Sequence, residues 1–94
     1  MNDVLAGLRE RFLARCIGDL ERLDDLAARG ALDVDEMQDL VHSLAGAAGT
    51  FGFPEISAAA GECDDAFAQG AAPDRAKVEH LAATMREVLA TRTG

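Results

Sequence analysis

Residues 33–54, DVDEMQDLVHSLAGAAGTFGFP, hold one complete amphipathic helix together with its start and stop signals. Asp33 stands three residues before Glu36, the spacing at which an N-cap and its reciprocal partner satisfy the first free backbone N–H groups. Met37, Leu40, Leu44, Ala47, Ala48 and Phe51 follow at three- and four-residue steps, which places them on one side of a helix. Pro54 pushes the residue before it out of the α region, so this helix ends near Phe53 and another begins at the proline.

The same period runs outward in both directions. Upstream, Val4, Leu5, Leu8, Phe12, Cys16, Leu20, Leu23 and Ala27 form a long stripe that ends near Arg29-Gly30. Downstream, Ile56, Ala59, Ala60, Cys63 and Phe67 are the inner side of a third helix stopped by Gly70. The GAAPD turn, with Pro73 and Asp74, opens a fourth whose stripe is Val78, Leu81, Ala82, Met85 and Leu89, with a frayed tail after Thr91. Four such helices with short connections hide their stripes only against one another. The expected fold is therefore all-α, an antiparallel up-down four-helix bundle with residues 1–94 as one domain. No β pattern, internal repeat or low-complexity segment interrupts it.

Composition agrees with this and narrows the function. The 94 residues are 49% hydrophobic, lack Trp and Tyr and contain only two prolines, a usage that favours helices. A net charge of −8 argues against nucleic acid and against an anionic membrane surface. Between Arg29 and Arg75 there is no Lys or Arg, while Asp33, Asp35, Glu36, Asp39, Glu55, Glu62, Asp64, Asp65 and Asp74 all fall there. Cys16 and Cys63 form no CxxC and lie on apolar stripes, so they read as free core thiols. There is no signal-peptide core and no apolar run of the ~20 residues that a membrane span needs. A cytoplasmic monomer is expected, and the initiating methionine suits a free-standing protein.

His42 is the residue that asks for a function. With the stripe of the second helix turned inward, His42 points to the opposite side, in company with Gln38, Gly46, Gly49 and Phe53. A glycine in a helix interior costs roughly 1 kcal/mol relative to alanine. Gly46 and Gly49, with the small Ala45, therefore look like clearance for a partner that docks against the ring at Gln38, Ala45, Gly46, Gly49 and an exposed Phe53, while Gly52 serves packing near the helix end. His80, the other histidine, reads as an ordinary surface residue.

At these residues the sequence resembles the histidine-containing phosphotransfer (HPt) domain, the relay module of two-component signalling. Its signature, His-x-Leu-(Lys/Arg)-Gly-x4-hydrophobic-Gly, is matched by His42, Leu44, Gly46, Phe51 and Gly52. The resemblance implies phosphorylation of His42 at Nε2 and exchange of the phosphoryl group with the aspartate of a response-regulator receiver domain, alone or in a hybrid histidine kinase. It implies no cofactor of the chain's own, with Mg²⁺ on the receiver, and a phosphocarrier in place of an enzyme. The family often places Glu or Gln twenty-two residues after the histidine, where it bonds Nδ1; here that position is Asp64. Ala45 departs from the pattern, since the family commonly has Lys or Arg there, and no other cation lies nearby in sequence. The phosphohistidine is then expected to rely on the partner's lysine and Mg²⁺.

Two other functions compete. An enzyme is disfavoured, because no nucleophile–base pair or metal-ligand spacing is visible. The glycines lack the strand before and the Lys-Ser/Thr after that a phosphate-binding loop requires. The alternative is a helical interaction module that binds a kinase or receiver without being phosphorylated.

Overall fold

The computed structural model describes residues 2–28, 34–71 and 73–93. They form four helices, α1 (Asn2–Ala28), α2 (Val34–Phe51), α3 (Pro54–Ala68) and α4 (Arg75–Thr93), with no strand among the described residues. Packing runs in a ring: α1 touches α2 and α4, α3 touches α2 and α4, and the diagonal pairs do not meet. Arg9 reaches Phe51, Arg15 reaches Ser43 and Arg22 reaches Glu36, so numbers rise along α1 as they fall along α2. The α2–α3 contact, the most extensive of the four, is crossed in the same sense by His42 with Asp64 and Ala45 with Ser57. The expected all-α fold is found.

The core joins Phe12, Cys16 and Leu23 of α1, Met37 and Leu44 of α2, Ile56 and Cys63 of α3, and Leu81 and Met85 of α4. Burying a side chain such as Leu44 or Ile56 contributes about 1.5–3 kcal/mol, so the shared core, more than helix propensity, holds the bundle. Both cysteines are free and buried as expected, and burial pushes each thiol up to about 11. Thiols held in that protonated form are inert toward thiol chemistry near neutral pH.

Several expected stripe positions are corrected. Val4, Leu5 and Leu8 are 71%, 42% and 36% exposed. The cause is length: α1 has 27 residues against 18 in α2, and Arg9 already stands level with the last residue of α2. The turns before it project past the end of its neighbour. Further along, Leu26 takes the inner position expected of Ala27, three residues on from Leu23. Val41 and Ala66, outside the expected stripes, are also buried, because α2 and α3 press closely enough to cover a broader arc than one stripe.

The ends of the helices follow backbone chemistry. Gly52 and Gly70 both have φ of 83°, the left-handed region that glycine enters without a Cβ clash. After each, the chain turns back so that Phe53 N–H bonds the Ala48 carbonyl at 2.8 Å and Ala71 N–H bonds the Ala66 carbonyl at 3.0 Å. These are the six-to-one bonds of a Schellman ending. Gly52 is thus a conformational requirement of the turn, a stricter role than the packing expected of it. Pro54 opens α3, and Asp74 caps α4 by accepting from Lys77 N–H at 2.9 Å. The expected cap at Asp33 and the stop at Arg29-Gly30 lie outside the described residues.

That turn also overturns the placement of Phe53. Extrapolating the wheel of α2 through residue 53 puts this ring in solvent, but the helix stops at Phe51 and Gly52 swings the chain inward. Phe53 is only 3% exposed and stacks on Phe12, with ring centroids 5.2 Å apart. It is a core residue and does not line a docking surface.

Candidate functional site

Two flanking helices fix the surroundings of His42. α2 carries the ring outward, with 78% of the side chain exposed. On one side α3 presents Asp64, whose Oδ2 lies 3.0 Å from His42 Nδ1. The aspartate reaches the ring directly, although it is a methylene shorter than the Glu or Gln common at this position. With Nδ1–H donating to the carboxylate, the neutral tautomer leaves Nε2 with its lone pair toward solvent. The bond and the charge of Asp64 raise the His42 pKa above its ordinary 6.5, with a smaller push from Asp39.

The residues around the ring divide by space. Gln38 and Gly46 are exposed, and a Cβ added at Gly46 would meet nothing within 4 Å. No internal packing explains that glycine. Gly49 differs: a Cβ there would stand 3.3 Å from Ser57 Oγ, which itself donates to the Ala45 carbonyl at 2.9 Å. Gly49 therefore also serves the close approach of α3, and half-buried Ala45 belongs to the same seam. Of the expected docking residues, Gln38, Gly46 and Gly49 are exposed and Ala45 is half-buried on the side of α2 that carries His42, whereas Phe53 is in the core.

Sequence reasoning missed what α1 brings. Arg15 donates through one terminal nitrogen to Ser43 Oγ at 2.5 Å and through Nε to Asp19 at 2.9 Å. A cation therefore stands beside the neighbour of His42, even though none is near in sequence. The three-residue spacing of the family pattern gave no hint of it, because the contact spans 28 positions. Arg9 is a second case: its Nε donates to the Phe51 carbonyl at 3.0 Å and supplies, from another helix, the cation that the last turn of α2 lacks.

The site is an open face. A hollow lined by Asp24, Met37, Pro73, Val78 and Arg86 opens between α1 and α4 and does not include His42. Among the described residues no three His, Cys, Asp or Glu side chains are grouped to hold a metal ion. Nor is any helix there long and apolar enough to cross a membrane. An exposed imidazole with one nitrogen tied and the other free can act chemically as a nucleophile.

Comparison with known families identifies the domain. The model of the Hpt domain matches residues 7–91, nearly the whole chain. No curated protein and no solved structure gave a match. Members of that family carry out histidine phosphotransfer in two-component phosphorelays as phosphocarriers, and they interact with kinases and receiver domains. The chain, with its four-helix ring and its solvent-facing His42, belongs to the Hpt domain family.

Proposed function

We propose that this protein is a phosphorelay intermediate that accepts a phosphoryl group on His42 Nε2 and exchanges it with the aspartate of a response-regulator receiver domain, alone or within a hybrid histidine kinase. The observation that carries this reading is the bond between Nδ1 and Asp64 on a ring that is otherwise exposed. The Nε2 lone pair attacks the phosphorus of an aspartyl phosphate. The P–N bond forms as the P–O bond to the receiver breaks, and the carboxylate leaves with the electron pair. The ring, still protonated at Nδ1, is then positively charged beside Asp64, and the opposite charge stabilises it. The reverse transfer retraces these steps.

In phosphoryl transfer the protein's task is positioning and charge neutralisation. On this reading Mg²⁺ and the acceptor or donor aspartate belong to the receiver, and the chain has no cofactor of its own. The receiver docks at Gln38, Ala45, Gly46 and Gly49. The acidic stretch around His42 tunes partner choice at the rim. We take residues 1–94 to be one Hpt domain, an antiparallel up-down bundle acting as a monomer in the cytoplasm. The opposed numbering of the α1–α2 and α2–α3 contacts supports the antiparallel order.

The test is incubation with candidate phosphorylated receivers, scored as acid-labile, base-stable label. Label on the wild-type chain and none on a folded His42→Gln variant is the expected result. Binding to a receiver with no label on either chain would instead make this a non-phosphorylated interaction module.

A further inference from the structure

A dianionic phosphoryl group on Nε2 of His42 would enter an acidic neighbourhood, with Asp64 on the ring and Asp39 on the same helix. Ala45 removes the cation that the family pattern would place there. A substitute has few sources. α2 and α3 contain no Lys or Arg, and α4, which does, lies diagonally across the bundle from α2 with no close backbone approach to it. Among the described residues α1 alone can deliver a positive charge to this face.

Of the four arginines of α1, Arg9, Arg15 and Arg22 bond described residues of α2, whereas no such bond holds Arg11, and register ranks those three. Arg9 is held at the Phe51 carbonyl, nine residues along α2 from His42, or about 13 Å at ~1.5 Å per residue. Arg22 pairs with Glu36, six residues the other way, about 9 Å by the same rise. Arg15 meets Ser43, the residue next to His42, and its side chain is 40% exposed. The ring's own orientation points the same way: with Nδ1 committed to α3, Nε2 is turned away from α3. Gly46, one turn on from His42, adds no side chain to this face, and a Cβ there would meet nothing within 4 Å.

We propose that Arg15 is the positioning cation for the phosphoryl group on His42, its terminal nitrogens turning from Ser43 to the phosphoryl oxygens while Nε stays on Asp19, and that it replaces the Lys or Arg absent at position 45. This rests on His42 being the phosphorylated residue. Asp19 and Ser43 hold the guanidinium ready in the unphosphorylated chain. A charged oxygen nearby offers Arg15 a stronger acceptor than the Ser43 hydroxyl.

The test needs no protein partner. Potassium phosphoramidate transfers its phosphoryl group to histidine, the donor's P–N bond breaking with release of ammonia as the new P–N bond forms. The His42 phosphoryl resonance is then identified by ³¹P NMR as the one missing from His42→Gln. Arg15 should lower the pKa of that phosphoryl group, so Arg15→Gln should raise it by about 0.3–0.7 pH unit and slow uptake about two- to fivefold. Arg15→Lys should restore most of both. Arg22→Gln, an equal loss of charge farther along α2, should move neither.

An unchanged pKa in Arg15→Gln, or an equal shift in Arg22→Gln, would overturn the role of Arg15 while leaving His42 as the phosphorylated residue. If no resonance depends on His42, the relay reading fails first and the role of Arg15 goes with it.

Discussion

His42 Nδ1 lies 3.0 Å from Asp64 Oδ2, a contact between neighbouring helices that fixes which ring nitrogen remains available. The imidazole is exposed, so solvent leaves its reactivity nearly ordinary and the carboxylate supplies the bias. Asp64 favours the protonated ring, and in the neutral ring it holds the remaining proton on Nδ1.

The sign of the pH dependence follows. Because Asp64 raises the His42 pKa, the protonated ring without a free Nε2 lone pair persists to higher pH than in an isolated histidine. Phosphoryl uptake should rise with pH through that raised value, and Asp64→Asn should move the rise to lower pH. The stabilisation from this pair runs oppositely: it is fully present below the unfolded value of about 6.5 and is lost as pH rises through the folded pKa. NMR titration of His42 in the two proteins measures the shift, and equal values would remove Asp64 from this role.

How much of this was legible in the sequence depends on whether the information was local. Helix starts, stops and inner stripes are local, and Pro54, Gly70 and Asp74 punctuate the structure where the sequence places them. The outward placement of His42 is legible from the wheel of α2, and Gly46 beside it contradicts helix propensity with no packing benefit. Phe53 was misread because the wheel was carried one step past a left-handed glycine, after which helical angles mean nothing. Arg15 was invisible for a different reason: its contact with Ser43 depends on the register of two helices, which no spacing within either one encodes.

Gly46 and Gly49 should separate fold from function. At Gly46 an added methyl has open space, so Gly46→Ala should stabilise the chain by up to about 1 kcal/mol. Gly49→Ala should gain less, because its methyl presses Ser57 Oγ at 3.3 Å. Gly46→Leu should fold as well as wild type yet slow transfer from a phosphorylated receiver. Urea melts combined with transfer rates check this, and a Gly46→Leu protein with full transfer would mean that the space is not used for docking.

Phe53 provides a test of the corrected core. A ring 3% exposed and stacked on Phe12 should cost about 3–5 kcal/mol when cut to alanine. That is a large share of the ~5–15 kcal/mol that holds a typical domain. An exposed docking residue would give the reverse pattern, an unchanged melt with weakened partner binding. Thermal unfolding of Phe53→Ala distinguishes the two.

The end of α2 joins a backbone requirement to a side-chain cap, and the two should be coupled. Gly52→Ala places a Cβ in left-handed backbone at a cost of about 1–2 kcal/mol. The same Cβ would stand 3.2 Å from a terminal nitrogen of Arg9, whose Nε bonds the Phe51 carbonyl. Relieving that contact shifts the guanidinium by a few tenths of an ångström and weakens its bond to the carbonyl, so the glycine change removes part of what Arg9 contributes. Arg9→Met alone should cost about 0.5–1.5 kcal/mol for the lost bond. In the Gly52→Ala background it should cost measurably less, a coupling that a double-mutant cycle in urea resolves. Strict additivity would mean that the guanidinium keeps its carbonyl despite the methyl group, and that the strain at Gly52 is confined to the backbone.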